Sequence, residues 1–76
     1  MKALTLITTG PGKLDAVAKA IRGIKSGITD ILIVTGRADI AVFIAGSIKD
    51  VNNTIMSIGK INDVVTTETM FEIEMS

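Results

Sequence analysis

The sequence has no cysteine, histidine, tryptophan or tyrosine, one proline, and only two aromatic residues, Phe43 and Phe71. Without cysteine there is neither a disulfide nor a thiol nucleophile. Without histidine the commonest general base and a common zinc and haem ligand are missing. No metal and no cofactor are therefore expected. An excess of one charge is also lacking, since eight basic residues balance eight acidic ones. No Lys/Arg cluster supplies the electrostatic footprint that nucleic acid or an anionic membrane requires. No apolar run approaches the ~18 residues of a membrane span. The apolar start is broken too soon by Gly10-Pro11-Gly12 for a signal peptide. The expected location is the cytoplasm, which the absence of cysteine fits.

What remains is aliphatic. Hydrophobic residues make up 47% of 76 positions, enough for one domain spanning residues 1–76. A chain of this size buries roughly 60% of its unfolded surface and is only marginally stable alone. With disulfides and metals set aside, oligomerisation is the natural remedy.

Residues 3–8 read as a strand, ended by Thr9-Gly10-Pro11-Gly12, where Pro11 lacks a backbone donor. Residues 13–24 read as a helix with Leu14, Val17, Ala18, Ile21 and Ile24 on one stripe. Asp15 lies near its start, and Arg22 and Lys25 near its end, as the helix dipole favours. Ser26-Gly27 stops it. Strands follow over residues 28–35 and 40–45. Ser47 is a candidate N-cap, with Asp50 three residues on. Val51, Ile55 and Ile58 then form a second helical stripe, with Met56 beside it, ended by Gly59 and Asn62-Asp63. Residues 64–75 read as a last strand. One face carries Val65, Thr67, Thr69, Phe71, Ile73 and Met75; the other, more polar, carries Val64, Thr66, Glu68, Met70, Glu72 and Glu74.

The order β-α-β-β-α-β predicts an α+β, ferredoxin-like fold: a four-stranded antiparallel sheet with two helices on one face. The other face is bare. In the central hairpin, Ile28, Leu32, Val34, Ile40, Val42 and Ile44 share one sequence parity, and Ile31, Ile33, Ala41, Phe43 and Ala45 the other. Both sets are apolar, so an apolar surface remains whichever set meets the helices, and such a surface marks an interaction site. A homodimer packed sheet against sheet follows, with Ile31, Ile33, Val34, Val42, Phe43 and Ile44 as candidate interface residues.

Candidate chemistry is sparse. Asp30, Asp39 and Glu68 are the carboxylates near strands with a route inward, and the default for such residues is solvation or turn closure. Gly10-Pro11-Gly12 precedes a helix but has neither the G-x-G-x-x-G spacing nor a Lys-Ser/Thr ending, and reads as a plain turn. The turn Thr35-Gly36-Arg37-Ala38-Asp39 presents backbone N–H groups and one carboxylate at a sheet end. It suits the carboxylate and ammonium groups of a free amino acid. Equally, Gly36 and Asp39 suit a turn with no ligand. Thr67 and Thr69 fit either a pocket lining or a rim of β-formers.

The stretch Val34-Thr35-Gly36-Arg37-Ala38-Asp39-Ile40 resembles the Val-Thr-Gly-x-x-Asp-Leu/Ile signature of the Lrp/AsnC family of feast/famine regulators, in their C-terminal effector (RAM) domain. Ile61-Asn62-Asp63-Val64-Val65-Thr66-Thr67-Glu68-Thr69-Met70 resembles that domain's entry into its last strand, and Gly10-Pro11-Gly12-Lys13 the start of its first helix. The resemblance spans essentially the whole chain. It implies a dimeric α/β barrel, rings of four or five dimers (octamer or decamer), and a small effector, usually an amino acid, bound between dimers. Carried over, Thr35, Gly36, Arg37, Ala38 and Asp39 form the effector turn, with Thr67 and Thr69 on the final strand nearby. Ala38 stands where many members have an aromatic residue. Family members begin with a helix-turn-helix domain, whereas here the first strand follows Met1 directly. The resemblance thus implies a stand-alone, non-enzymatic sensing module without direct DNA binding, acting through mixed assemblies with a full-length regulator. The alternatives are a small dimeric α/β-barrel enzyme, whose sites usually rely on His, Trp or Asn, and an ACT-type amino-acid-binding module paired at the sheet edge.

Overall fold

A computed structural model describes residues 1–24 and 26–74. The elements run β1 (Lys2–Thr9), α1 (Leu14–Arg22), β2 (Ile28–Ile33), β3 (Ile40–Ala45), α2 (Ile48–Gly59) and β4 (Val64–Phe71). The four strands form one sheet in the order β2-β3-β1-β4, and every neighbouring pair is antiparallel. This is the ferredoxin-like α+β architecture expected from the element order. None of the helices among the described residues is long and apolar enough to cross a membrane.

Both helices bury the stripes that their periodicity predicts. Val17, Ala18 and Ile21 of α1, and Val51 and Ile58 of α2, are enclosed against Ala3 and Ile7 of β1 and Ile40, Val42 and Ile44 of β3. Leu14, Ile24 and Ile55 are half-buried at the margin of this core. The Ser47 hydroxyl accepts the Asp50 amide at 3.1 Å, the N-cap bond that the sequence predicts. Thr54 joins the buried stripe of α2, its hydroxyl shared between the carbonyls of Asp50 (3.0 Å) and Ser26 (3.3 Å).

Three elements are shorter than expected. α1 begins after Lys13, which provides no side-chain cap, and ends at Arg22, where the Gly23 amide closes the last turn. β2 ends at Ile33 because the Val34 amide bonds the Asp39 carbonyl at 2.9 Å and the chain then turns. β4 ends at Phe71, because its only ladder is to β1, whose register runs out at Ala3↔Phe71. The expected contributions of Lys25 and Met75 lie outside the described residues.

The hairpin faces differ from a reading by sequence parity. Ile33 pairs with Ile40, Ile31 with Val42 and Leu32 with Ala41, so odd positions of β2 share a face with even positions of β3. Ile31, Ile33, Ile40, Val42 and Ile44 therefore lie on the helix side, and Leu32, Ala41, Phe43 and Ala45 on the bare side. A bulge between Ile28 and Asp30 returns Ile28 to the helix side, opposite Ile44. On the outer strand β4, Thr67, Thr69 and Phe71 face the helix side, opposite Ile7, Thr5 and Ala3. Thr66, Glu68 and Met70 face the bare side. A second bulge at Thr8/Thr9 sets Val64 opposite Thr9 and lets it pack against the core.

Candidate functional site

Two features stand out: the bare sheet face, and the end of the sheet where the β2–β3 hairpin turns. On the bare face β1 contributes Leu4 and Leu6, β2 Leu32, β3 Ala41 and Phe43, and β4 Met70. Leu32, Phe43 and Met70 retain 43%, 38% and 46% of their surface. Ala41 is covered by its neighbours at 6%. Lys2, Asp30 and Glu68 rim the apolar patch. Of the strand residues expected at a sheet-to-sheet interface, Phe43 is the one that the pairing places on this face. Val42 and Ile44 are sealed beneath the helices at 0% and 1% exposure. Ile31 and Ile33 share that side, and Val34 is half-buried where the hairpin closes. The odd-to-even register of the hairpin is the cause. Leu4, Leu6, Leu32, Ala41 and Met70 lie on this face but are not among the residues expected at an interface. The signal for Leu4 and Leu6 is their alternation with Ala3, Thr5 and Ile7 in β1.

The hairpin end is tied together by Asp39. Its amide donates to the Ile7 carbonyl at 2.9 Å and its own carbonyl closes the hairpin on the Val34 amide. Its carboxylate Oδ2 accepts the Thr9 amide at 2.8 Å and the Thr9 hydroxyl at 3.2 Å. The carboxylate thus takes the place of the next ladder carbonyl beyond Ile40, and β1 keeps a partner after β3 has begun to turn. Next to Thr9, the Gly10 amide donates to the Asp63 carbonyl at 2.9 Å. Asp63 holds φ +73° as the chain enters β4. The three sequence segments that carry the resemblance therefore meet at one end of the sheet.

Within the turn, Gly36 has φ +116°, a conformation that suits glycine, with open space where a Cβ would stand. Ala38 is 5% exposed and packs inward. Among the described residues no protein group accepts from the amides of Gly36, Arg37 or Ala38. The Arg37 guanidinium lies 3.5 Å from Glu68 of β4, both side chains well exposed, a pair that contributes little to stability.

Thr67 lies at the same sheet end as the turn, since Ile7 pairs with both Ile40 and Thr67. Thr69 sits two residues further in, and its hydroxyl is 2.9 Å from that of the buried Thr5. Thr9, which makes two of the bonds that hold the turn, carried no signal in the sequence beyond closing a strand. Asp30 is exposed and its carboxylate accepts the neighbouring Ile31 amide, as a solvated carboxylate does. No group of three metal-capable side chains occurs among the described residues. An open hollow of about 450 Å³ lies at the opposite end of the bare face, beside Lys2, Phe43 and Ala45.

Fold and site together define a ferredoxin-like α+β domain with one uncovered apolar sheet face and a bonded hairpin tip. No protein-family model and no curated protein matches the sequence. Solved structures do match. FFRP-DM1 superimposes with a TM-score of 0.84 at 26% identity, over 95% of this chain and 97% of that one. AsnC of E. coli gives a TM-score of 0.84 at 16% identity, over 96% of this chain but 50% of that one. An AsnC family transcriptional regulator from Agrobacterium tumefaciens gives 0.75 at 14% identity, again covering 97% of this chain and 50% of the other. The chain is thus similar to nearly all of FFRP-DM1 and spans about half the length of the two AsnC-type proteins. The AsnC-type proteins, whose family the sequence motifs resemble, share the fold of this chain over about half their own length.

Proposed function

We propose that this chain is a ligand-sensing and oligomerisation module of the Lrp/AsnC type. Two copies pack their bare sheet faces together as a dimeric α/β barrel. A small molecule, most suitably an amino acid, binds at the tip formed by Thr35, Gly36, Arg37, Ala38 and Asp39, with Thr67 alongside, and changes how dimers assemble. The observation that carries the reading is the bare apolar face, with Leu32, Phe43 and Met70 each more than a third exposed in a lone copy. Its rim charges are of both signs, which suits self-association better than a strongly charged partner. The tip adds unpaired amides suited to a carboxylate, and one free oxygen of Asp39 suited to an ammonium group. With no histidine or cysteine in the sequence, binding rather than turnover is the reading, and a full-length regulator is the proposed partner in mixed assemblies.

Light scattering of the purified chain, combined with calorimetric titration against each of the twenty amino acids, tests the proposal. A dimer or a multiple of it is expected, with one class of amino acid binding at micromolar to millimolar concentration. Asp39→Ala is expected to abolish that heat while the dimer persists. A monomer at micromolar concentration would refute the assembly, and silence across the panel at millimolar concentration would refute the sensing.

A further inference from the structure

Asp39 was expected to meet an effector directly, yet half of its carboxylate is already committed. Oδ2 accepts two bonds from one residue, Thr9, whose amide and hydroxyl reach it at 2.8 and 3.2 Å. The amide is available because β1 is bulged at Thr8/Thr9 against β4, and because β3 pairs with β1 only as far as Ile40. The hydroxyl is supplied by the side chain alone. Oδ1 faces no protein donor among the described residues. Resting on the sensing function proposed above, we infer that Thr9 is a positioning residue of the effector site. It holds Asp39 in one rotamer, with Oδ2 occupied and Oδ1 presented, beside the Gly36–Ala38 amides, which have no internal acceptor among the described residues.

The physical basis is the choice of a rotamer. An unrestrained aspartate samples several staggered rotamers. Bonded to Thr9, Asp39 is kept in one of them, beside the Gly36, Arg37 and Ala38 amides that a ligand carboxylate needs. Two donors from Thr9 hold that rotamer firmly, since hydrogen bonds to an ionised acceptor are stronger than neutral ones. A tip held in this way binds its ligand without first having to order itself.

Thr9→Val removes the hydroxyl at nearly constant shape and keeps the amide, and Thr9→Ser restores the hydroxyl. Amide hydrogen exchange at Val34 and Asp39, whose bonds close the tip, is expected to quicken about tenfold in Thr9→Val, the weight of one hydrogen bond. Backbone order parameters of residues 36–38 are expected to fall with it, from a rigid value toward the flexible range. Exchange at Val42 and Ile44 in the core is expected to stay unchanged, and Thr9→Ser to restore the tip. In titrations with the amino acid that the wild-type chain binds best, Thr9→Val is expected to weaken affinity about tenfold with the dimer intact. Unaltered tip dynamics, loss of protection spread evenly through the core, or a loosened tip with unchanged affinity would each overturn the role of Thr9. A wild-type chain that binds no amino acid would instead remove the sensing function on which the role rests, and the two failures are told apart by that titration.

Discussion

Placing a glutamate at position 43 or at position 44 separates the two faces of β3 by one residue. Phe43 keeps 38% of its surface in a lone copy; taking roughly 200 Å² for a phenylalanine, about 80 Å² is available to a partner. At ~25 cal/mol per Å² that contact stabilises a dimer by about 2 kcal/mol from each copy. Both copies contribute under two-fold symmetry, so Phe43→Glu is expected to weaken dimerisation by about 4 kcal/mol, roughly a thousandfold in Kd, before any cost of opposing two new charges. The intrinsic stability of the protomer is expected to change little, so its melt falls only by the stabilisation that dimerisation lends. Ile44→Glu reverses the pattern. Ile44 is 1% exposed between sheet and helices, and an unpaired carboxylate there costs several kcal/mol. That is a large share of the ~4–11 kcal/mol expected of a domain this small, so the variant is expected to be largely unfolded. Sedimentation equilibrium over a dilution series, with circular dichroism melts in parallel, reads both outcomes. A Phe43→Glu chain that dissociates at the wild-type concentration would refute the assignment of the bare face as the dimer interface.

Two backbone features give further expectations. Gly27 has φ +85°, and a Cβ there would stand 3.0 Å from the Thr54 hydroxyl; Gly27→Ala is expected to destabilise the fold by about 1–2 kcal/mol, measured by urea unfolding, and an unchanged midpoint would contradict it. Ser47→Ala removes the bond to the Asp50 amide and is expected to cost about 1 kcal/mol, lowering the melting temperature by ~4–8 °C.

The elements and their order were legible because each carries its own periodicity. The α1 and α2 stripes, the Ser47 cap and the alternation along β4 need no long-range information. Which face of the hairpin looks outward was not legible. That depends on the pairing of Ile33 with Ile40 and on the bulge after Ile28, and both are properties of two strands together. The tip was visible as a Gly and an Asp at turn spacing. The commitment of Asp39 to Thr9, thirty residues away, was not visible, since nothing local distinguishes a carboxylate that holds a strand end from one that awaits a ligand. Thr69 presents the same difficulty: its hydroxyl meets Thr5 across the sheet, a partnership set by the β1–β4 register.

The connection between β2 and β3 occupies six residues, 34 to 39. Below it Ile33 stands opposite Ile40, an odd position against an even one, and Ile40, Val42 and Ile44 turn toward the helices. Paired residues share a face whatever the length of the loop above them, so residues gained or lost within the tip leave this arrangement intact while that pair holds. A slip of the ladder by a single residue instead exchanges Ile40, Val42 and Ile44 with Ala41, Phe43 and Ala45, and the inside of the protomer and its outer face trade places. The Val34–Asp39 bond directly above the pair pins the register against that slip. Under the proposed function, ligand preference and assembly are thereby governed apart, one by the side chains the tip carries and the other by the bond that closes it.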